Sequence, residues 1–143
     1  MFIKNIRGYI SLLLFLIILT PQVNAQSNNG IMMELNTAQT HEGNCRVDFV
    51  FINTLAGSVD DMTVELVLFK KSGQIANFLM IQTGALAKGK TLVKRYDFEG
   101  TPCDDLSRIL VNSIKSCDGE GNTPDKCLAA LAPSSLTRIN LVL

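Results

Sequence analysis

The chain has 143 residues, and its 13 Lys and Arg residues balance its 13 Asp and Glu residues. With no net charge and no Trp, the composition speaks against nucleic acid and against an anionic membrane surface as partners. The length is that of one domain with a modest hydrophobic core.

Residues 1–25 are expected to form a cleavable secretory signal peptide. Lys4 and Arg7 precede an apolar run from Tyr9 to Leu19, and small residues end the segment at Ala25. The run has about half of the roughly 20 apolar residues that a spanning helix needs, so we expect no stable membrane insertion after cleavage. The predicted location is periplasmic or secreted.

After the signal peptide, residues 26–30 are predicted to be a flexible arm and residues 31–143 one domain. An even number of cysteines in an exported chain predicts disulfides, and four cysteines allow three pairings. Cys117 and Cys127 bracket a short polar loop, so we favour a bridge between them, which leaves Cys45 to pair with Cys103. A zinc site would need paired C-x-x-C spacing, which the sequence lacks. We therefore expect no metal and no cofactor.

Seven segments of the mature chain carry the pattern of strands. In most of them apolar residues alternate with polar ones, which is typical of a half-buried strand, and turn residues separate the segments. The predicted strands are Ile31–Leu35, Cys45–Phe51, Met62–Leu68, Ile75–Ile81, Thr91–Phe98, Ile109–Ile114 and Thr137–Leu143.

This pattern predicts an all-β fold, a seven-stranded antiparallel immunoglobulin-like sandwich. One or two short helical turns are expected besides the strands. The first follows Cys103, where Asp104 or Asp105 is expected to cap the turn by accepting from backbone amides. The second is Asp125–Leu131.

A resemblance to a known family accompanies this pattern. The hairpin segment 64–73, the bend 84–90 and the strand end Tyr96-Asp97-Phe98 resemble small exported bacterial immunoglobulin-like domains of the FxLYD type. The cysteine segments Asn-Cys-Arg-Val and Pro-Cys-Asp-Asp are also similar to those of uncharacterised exported proteins of alphaproteobacteria. The resemblance implies an immunoglobulin-like fold and brings no catalytic residues with it.

Candidate catalytic and metal-binding residues are few. His41 is the single histidine and lies in a polar turn, whereas a nucleophilic triad needs a base beside an activated Ser or Cys. The pairs Asp60-Asp61 and Asp104-Asp105 stand where turns begin, which favours turn and cap roles. Asp118, Glu120 and Asn122 begin like a calcium loop but lack its later glycine and glutamate. We therefore expect that the protein is not an enzyme.

The most informative feature is apolar. Val50, Ile52, Val67 and Phe69 stand at alternating positions that would otherwise face water, so a cover is expected. That cover is either internal, from residues 128–133, or a protein partner or second copy. An alternative is that an anionic ligand binds the basic residues around the hairpin and bend. These residues are Lys70, Lys71, Lys88, Lys90, Lys94 and Arg95.

The sequence thus predicts a non-enzymatic, exported binding or assembly module with a protein partner or homodimer contact at Val50, Ile52, Val67 and Phe69. The alternative is a periplasmic carrier that binds a small ligand or calcium through the 118–126 loop.

Overall fold

Strands form where buried and less buried residues alternate. The computed structural model describes residues 29–143, so the predicted signal peptide and residues 26–28 of the predicted arm lie outside the described residues. In the second strand every other residue from Cys45 to Asn53 is buried. The described strands are β1 (Ile31–His41), β2 (Asn44–Asn53), β3 (Asp61–Lys70), β4 (Ile75–Gln82), β5 (Thr91–Phe98), β6 (Leu106–Asp118), β7 (Leu131–Ser135) and β8 (Asn140–Val142).

The strands form two sheets of four. The first sheet has the order β5-β2-β1-β7 and the second sheet the order β4-β3-β6-β8. Their inner faces share one hydrophobic core, in which the largest side chains without solvent exposure include Phe49 and Phe51 from the first sheet and Leu66, Leu68 and Ile109 from the second. The predicted all-β, two-sheet architecture is confirmed.

The predicted strand number and direction are wrong. The described chain has eight strands, and both sheets are mixed because β7 runs parallel to β1 and β8 runs parallel to β6. Parallel neighbours need a long connection: α1 and β7 lie between β6 and β8, and β2 to β6 lie between β1 and β7. The strand pattern is weak in β7 because it lies at a sheet edge, where Pro133 is tolerated. The immunoglobulin-like sandwich of seven antiparallel strands is therefore corrected to an eight-stranded mixed sandwich.

The predicted second helical turn is confirmed and the predicted cap of the first is wrong. Helix α1 (Pro124–Ala130) begins after Thr123, whose hydroxyl accepts from the Lys126 amide at 3.3 Å. The turn after Cys103 is a 3-10 helix with Pro102 at its N-cap and no side-chain cap, because the proline side chain has no oxygen that could accept from a backbone amide. Within residues 29–143 no helix has the length and apolarity of a membrane span.

Both predicted disulfides are confirmed. Cys45 of β2 is bonded to Cys103 at the start of the 3-10 turn, and Cys117 of β6 is bonded to Cys127 of α1. The first bridge ties the first sheet to the chain entering the second sheet. The second bridge holds α1 against β6 and closes the intervening polar loop.

The packed domain includes Gly30, which the sequence assigns to the arm. Its amide donates to the Thr54 hydroxyl at 3.0 Å, and its carbonyl accepts from the Thr54 amide at 2.8 Å. A Cβ at Gly30 would come within 2.5 Å of the Ala130 carbonyl oxygen. A glycine is therefore required where β1 begins beside the end of α1.

Candidate protein-binding surface

The four residues predicted to bind a partner lie on two opposite surfaces. Val50 and Ile52 belong to β2 in the first sheet, whereas Val67 and Phe69 belong to β3 in the second. All four stand at outward positions of their strands. They do not form one surface, because β2 and β3 belong to different sheets although they follow one another in the sequence.

The outer face of the first sheet is half apolar and half charged. Val50 lies opposite Val93, and Ile52 lies opposite Met32. Val93 is 60% exposed and Met32 is 41% exposed. Further along β2 and β5 this apolar half gives way to two ion pairs.

Those ion pairs are Arg46 with Asp97 and Arg95 with Asp48, each with a shortest N–O distance of 2.7 Å. The hydrogen bond from Arg95 lowers the pKa of Asp48, with a second contribution from the Thr37 hydroxyl. Arg46 lowers the pKa of Asp97 in the same way. Both carboxylates therefore stay ionised at neutral pH and neutralise their partners.

The predicted residues of the second sheet are largely covered. Val67 is 3% exposed and lies between Phe78 of β4 and Leu110 of β6. Phe69 is half-buried beneath the guanidinium of Arg108, whose Cζ lies 4.0 Å from the ring centre. These two side chains are the floor of a surface and do not form its exposed part.

The exposed part of this surface is on β4. Ile75, Phe78 and Met80, which we call the β4 face, are 50%, 58% and 65% exposed. Sequence reasoning missed them because it treated the apolar run 75–81 as ordinary strand. The signal that could have found them is the absence of any charged residue between Ile75 and Gln82.

A polar cluster borders the β4 face. Glu65 lies between Met80 and Ser113 in the strand register. Its carboxylate accepts from Ser113 Oγ at 2.9 Å, from the Asn112 amide and from Lys115 Nζ at 3.1 Å. These hydrogen bonds, the one from Asn112 first, lower the pKa of Glu65. The carboxylate and the ammonium neutralise each other, so the border adds no net charge.

Backbone groups of β4 point toward an open sheet edge. The Thr83 amide donates to the Met62 carbonyl at 2.9 Å. Because backbone groups alternate in direction along a strand, the backbone N–H and C=O groups of Leu79 and Ile81 also point toward β3. Those of Phe78, Met80 and Gln82 point away from β3. Consistent with this, the Phe78 amide donates to its neighbour Asn77 Oδ1 at 2.8 Å, and the Gln82 carbonyl accepts from the Tyr96 hydroxyl at 2.7 Å.

The other candidate residues are engaged in local contacts. His41 is exposed, with Nδ1 3.9 Å from the Glu42 carboxylate. Asp61 accepts from the Gly84 amide at 2.9 Å, which fixes the turn after β4. Asp104 lies 3.2 Å from Arg138. Each contact is a turn or surface interaction.

The 118–126 loop is closed by its own side chains. Lys126 Nζ donates to the Gly121 carbonyl at 2.8 Å, and the Asn122 amide donates to the Ser58 carbonyl at 3.1 Å. Among residues 29–143 no group of three His, Cys, Asp or Glu side chains is placed to hold a metal ion. The Lys126 ammonium thus already occupies one carbonyl oxygen of this loop, that of Gly121.

The basic residues noted in the sequence are spread over several elements. Lys70 and Lys71 lie at the β3–β4 turn, Lys88 and Lys90 in the loop before β5, and Lys94 and Arg95 on β5 itself. Lys71, Asp104 and Arg138 line an open cleft of about 570 Å³. The cleft therefore carries charges of both signs.

Comparison with known proteins identifies the fold and no family. No family model and no curated protein matches the chain. Among solved structures, IrmA from Escherichia coli is similar, with a TM-score of 0.58 and 16% sequence identity over 73% of this chain and 90% of that chain. At this identity the likeness concerns the fold alone, so the two-sheet architecture described above also occurs in a solved protein.

Proposed function

We propose that this chain is an exported, non-catalytic β-sandwich module that binds a protein partner through the β4 face. In this proposal it works in the periplasm or outside the cell, where an oxidising environment keeps both disulfides closed. All four of its cysteines are in bridges. The resemblance to exported FxLYD-type domains supports the same location.

The observation that carries the proposal is the concentration of exposed apolar side chains on one strand. Seven large hydrophobic residues of the described chain are exposed, and three of them form the β4 face. Scattered exposed hydrophobics are normal, whereas a contiguous group marks an interaction surface. Val67 and Phe69 extend the β4 face inward as its floor.

The surface also has the rim of a binding site. Glu65 and Lys115 border it as a paired carboxylate and ammonium, and the Arg108 guanidinium lies over the ring of Phe69. An apolar centre with a polar, exposed border is the usual anatomy of a protein–protein contact. A partner would bury Phe78 and Met80 and leave these charges at the periphery.

Site-specific photo-crosslinking tests the proposal in cells that express the chain. A photoreactive phenylalanine analogue replaces Phe78 in one variant and Gln39, an exposed residue at the far end of β1, in the control. We expect protein adducts from position 78 and none from position 39. Absence of adducts from position 78, or equal adducts from both positions, would contradict the proposal.

A third crosslinking variant, at Val93, tests the first-sheet face that contains Val50 and Ile52. Val93 is as exposed as Phe78 and lies opposite Val50. We expect fewer adducts from position 93 than from position 78, because ion pairs interrupt the apolar part of that face. A reversed order would assign the contact to Val50 and Ile52.

A further inference from the structure

The four edge strands of the described sandwich differ in how they are protected against pairing with another strand. Exposed edges are normally blocked by charged side chains, proline or shortness. In the first sheet, β5 carries Lys94 and Arg95, and β7 contains Pro133. In the second sheet, β8 has three residues, whereas β4 has eight and contains neither charge nor proline. β4 is therefore the one unprotected edge among the described strands.

We propose that two copies of the chain pair edge to edge through antiparallel β4 strands, so that their second sheets join into one eight-stranded sheet. This inference rests on the proposed function, which assigns protein binding to the β4 face, and it names the partner as a second copy. Open backbone groups at a sheet edge are best satisfied by the backbone of another strand.

The backbone phase of β4 determines the register. The outward-pointing groups of Phe78 and Met80 must bond to outward-pointing groups of the second copy. A two-fold axis at Leu79 places Phe78 opposite Met80 of the second copy and Met80 opposite its Phe78. Each of the two pairs then joins a thioether to an aromatic ring, which is a favourable contact.

The neighbouring registers are less favourable. An axis at Met80 would place Phe78 opposite Gln82 of the second copy and Met80 opposite Met80, so no thioether would face an aromatic ring. An axis at Phe78 would place Met80 opposite Ala76 and leave its side chain without a large partner. The axis at Leu79 thus uses both exposed side chains of the β4 face and the open backbone between them.

The chemistry of the strand favours a second copy over a foreign protein. β4 has no charged residue by which a foreign partner could be selected. The bordering Glu65 is neutralised by Lys115, so two copies approach without repulsion at this border. The Asn77 side chain that occupies the Phe78 amide is a local contact that an incoming carbonyl can replace.

Sedimentation equilibrium of the disulfide-bonded chain, after signal cleavage, tests the proposal. We expect a dimer, and we expect Met80→Lys to raise its dissociation constant about tenfold or more because the two-fold axis makes the change act twice. The matched control is Val93→Lys, which changes an exposed apolar residue of β5, an edge strand of the first sheet. This variant should leave the dissociation constant unchanged. Thermal unfolding of each variant confirms that it is folded.

Two results would overturn the proposal. One is a wild-type chain that stays monomeric at all concentrations. The other is a dimer that Val93→Lys weakens as much as Met80→Lys does. If position 78 forms adducts with a different protein while the purified chain is monomeric, the second-copy proposal fails and the proposed function stands.

A charge-complementation experiment tests the register. Phe78→Lys and Met80→Glu should each weaken the dimer, and an equimolar mixture of the two should restore it, since the ammonium introduced in one copy then faces the carboxylate introduced in the other. A mixture of Phe78→Lys with Met80→Lys serves as the control and should not restore it. Equal behaviour of the two mixtures would overturn antiparallel pairing about Leu79.

Discussion

At the scale of single residues, Asn53 shows how a buried polar side chain organises two loops. It has no solvent exposure, and its amide nitrogen donates to the Leu86 carbonyl at 2.7 Å and to the Gly57 carbonyl at 3.1 Å. Its amide oxygen accepts from the Leu55 amide at 2.9 Å. The side chain therefore substitutes for strand pairing where β2 ends and holds both flanking loops in place.

We expect Asn53→Ala to lower the free energy of unfolding by about 2–3 kcal/mol, because the buried side chain loses one buried hydrogen bond, to the Leu86 carbonyl, and two partly buried ones, to the Gly57 carbonyl and from the Leu55 amide. Urea-induced unfolding measures the change. The control is Asn36→Ala, which removes a hydrogen bond to Glu34 outside the core and should cost less than about 0.5 kcal/mol. Equal losses for the two variants would show that Asn53 has no organising role.

At the scale of elements, the two disulfides join segments of the chain that would otherwise associate weakly. The Cys117–Cys127 bridge closes a separation of 10 residues and attaches α1, which has only seven residues and would not form a stable helix alone. The Cys45–Cys103 bridge spans 58 residues. The longer loop restricts the unfolded chain more strongly.

Removing each bridge should therefore destabilise the domain by a different amount. We expect the double variant Cys117→Ser and Cys127→Ser to lose about 3 kcal/mol, and Cys45→Ser with Cys103→Ser to lose about 4 kcal/mol. Urea unfolding of the purified variants measures both losses. A greater loss from the short loop would mean that docking of α1, and not chain entropy, dominates the effect.

At the scale of the whole molecule, Tyr96 joins the two sheets across their open side. Its ring lies 6.0 Å from the ring of Phe49 in the core, and its hydroxyl donates to the Gln82 carbonyl at 2.7 Å. β5 and β4 are edge strands of different sheets, so this contact closes one side of the sandwich. Burial, with a contribution from the Asp61 charge, raises the pKa of Tyr96 to about 12.

This raised pKa predicts how stability depends on alkaline pH. Because the folded pKa lies above the unfolded value of about 10, the contribution of the neutral phenol is complete below pH 10 and is lost as the pH rises toward 12. Tyr96→Phe should flatten this dependence and cost about 1 kcal/mol at neutral pH through the lost hydrogen bond. Urea unfolding at neutral and alkaline pH measures both effects.

Ultraviolet titration of a protein that consists of residues 26–143 offers an independent check. The full chain has two tyrosines, Tyr9 and Tyr96, and only Tyr96 lies within these residues. The absorbance change therefore reports this phenol alone. Ionisation near the ordinary value of about 10 would contradict its burial at the sheet junction.

Much of the fold was predictable because its signals are local. Alternation in the first halves of β2 and β3 indicated half-buried strands, and the cysteine spacing favoured the two bridges that form. β7 was not predicted, since Leu131–Ser135 contains a proline and little alternation, and its strand conformation depends on pairing with β1. Strands stabilised mainly by a partner leave a weak pattern in the sequence.

The candidate site was predictable only in part. The sequence indicated excess apolar residues in β2 and β3, but it placed Val50 and Phe69 on one surface, whereas they belong to different sheets. It also overlooked Phe78 and Met80, whose exposure depends on β4 being the last strand of its sheet. Which strand lies at an edge is decided by long-range pairing and not by the residues of the strand itself.

The sequence by itself determined the β-rich character of the domain, favoured the cysteine pairing that forms and indicated a short helix at Asp125–Leu131, since each depends on spacing along the chain. Only the tertiary structure decided the parallel placement of β7 and β8, the separation of Val50 from Phe69 and the unprotected edge of β4. The physical reason is that a side-chain pattern specifies which face of a strand is buried, while neighbours distant in the sequence determine which edge and which outer face remain open to a partner.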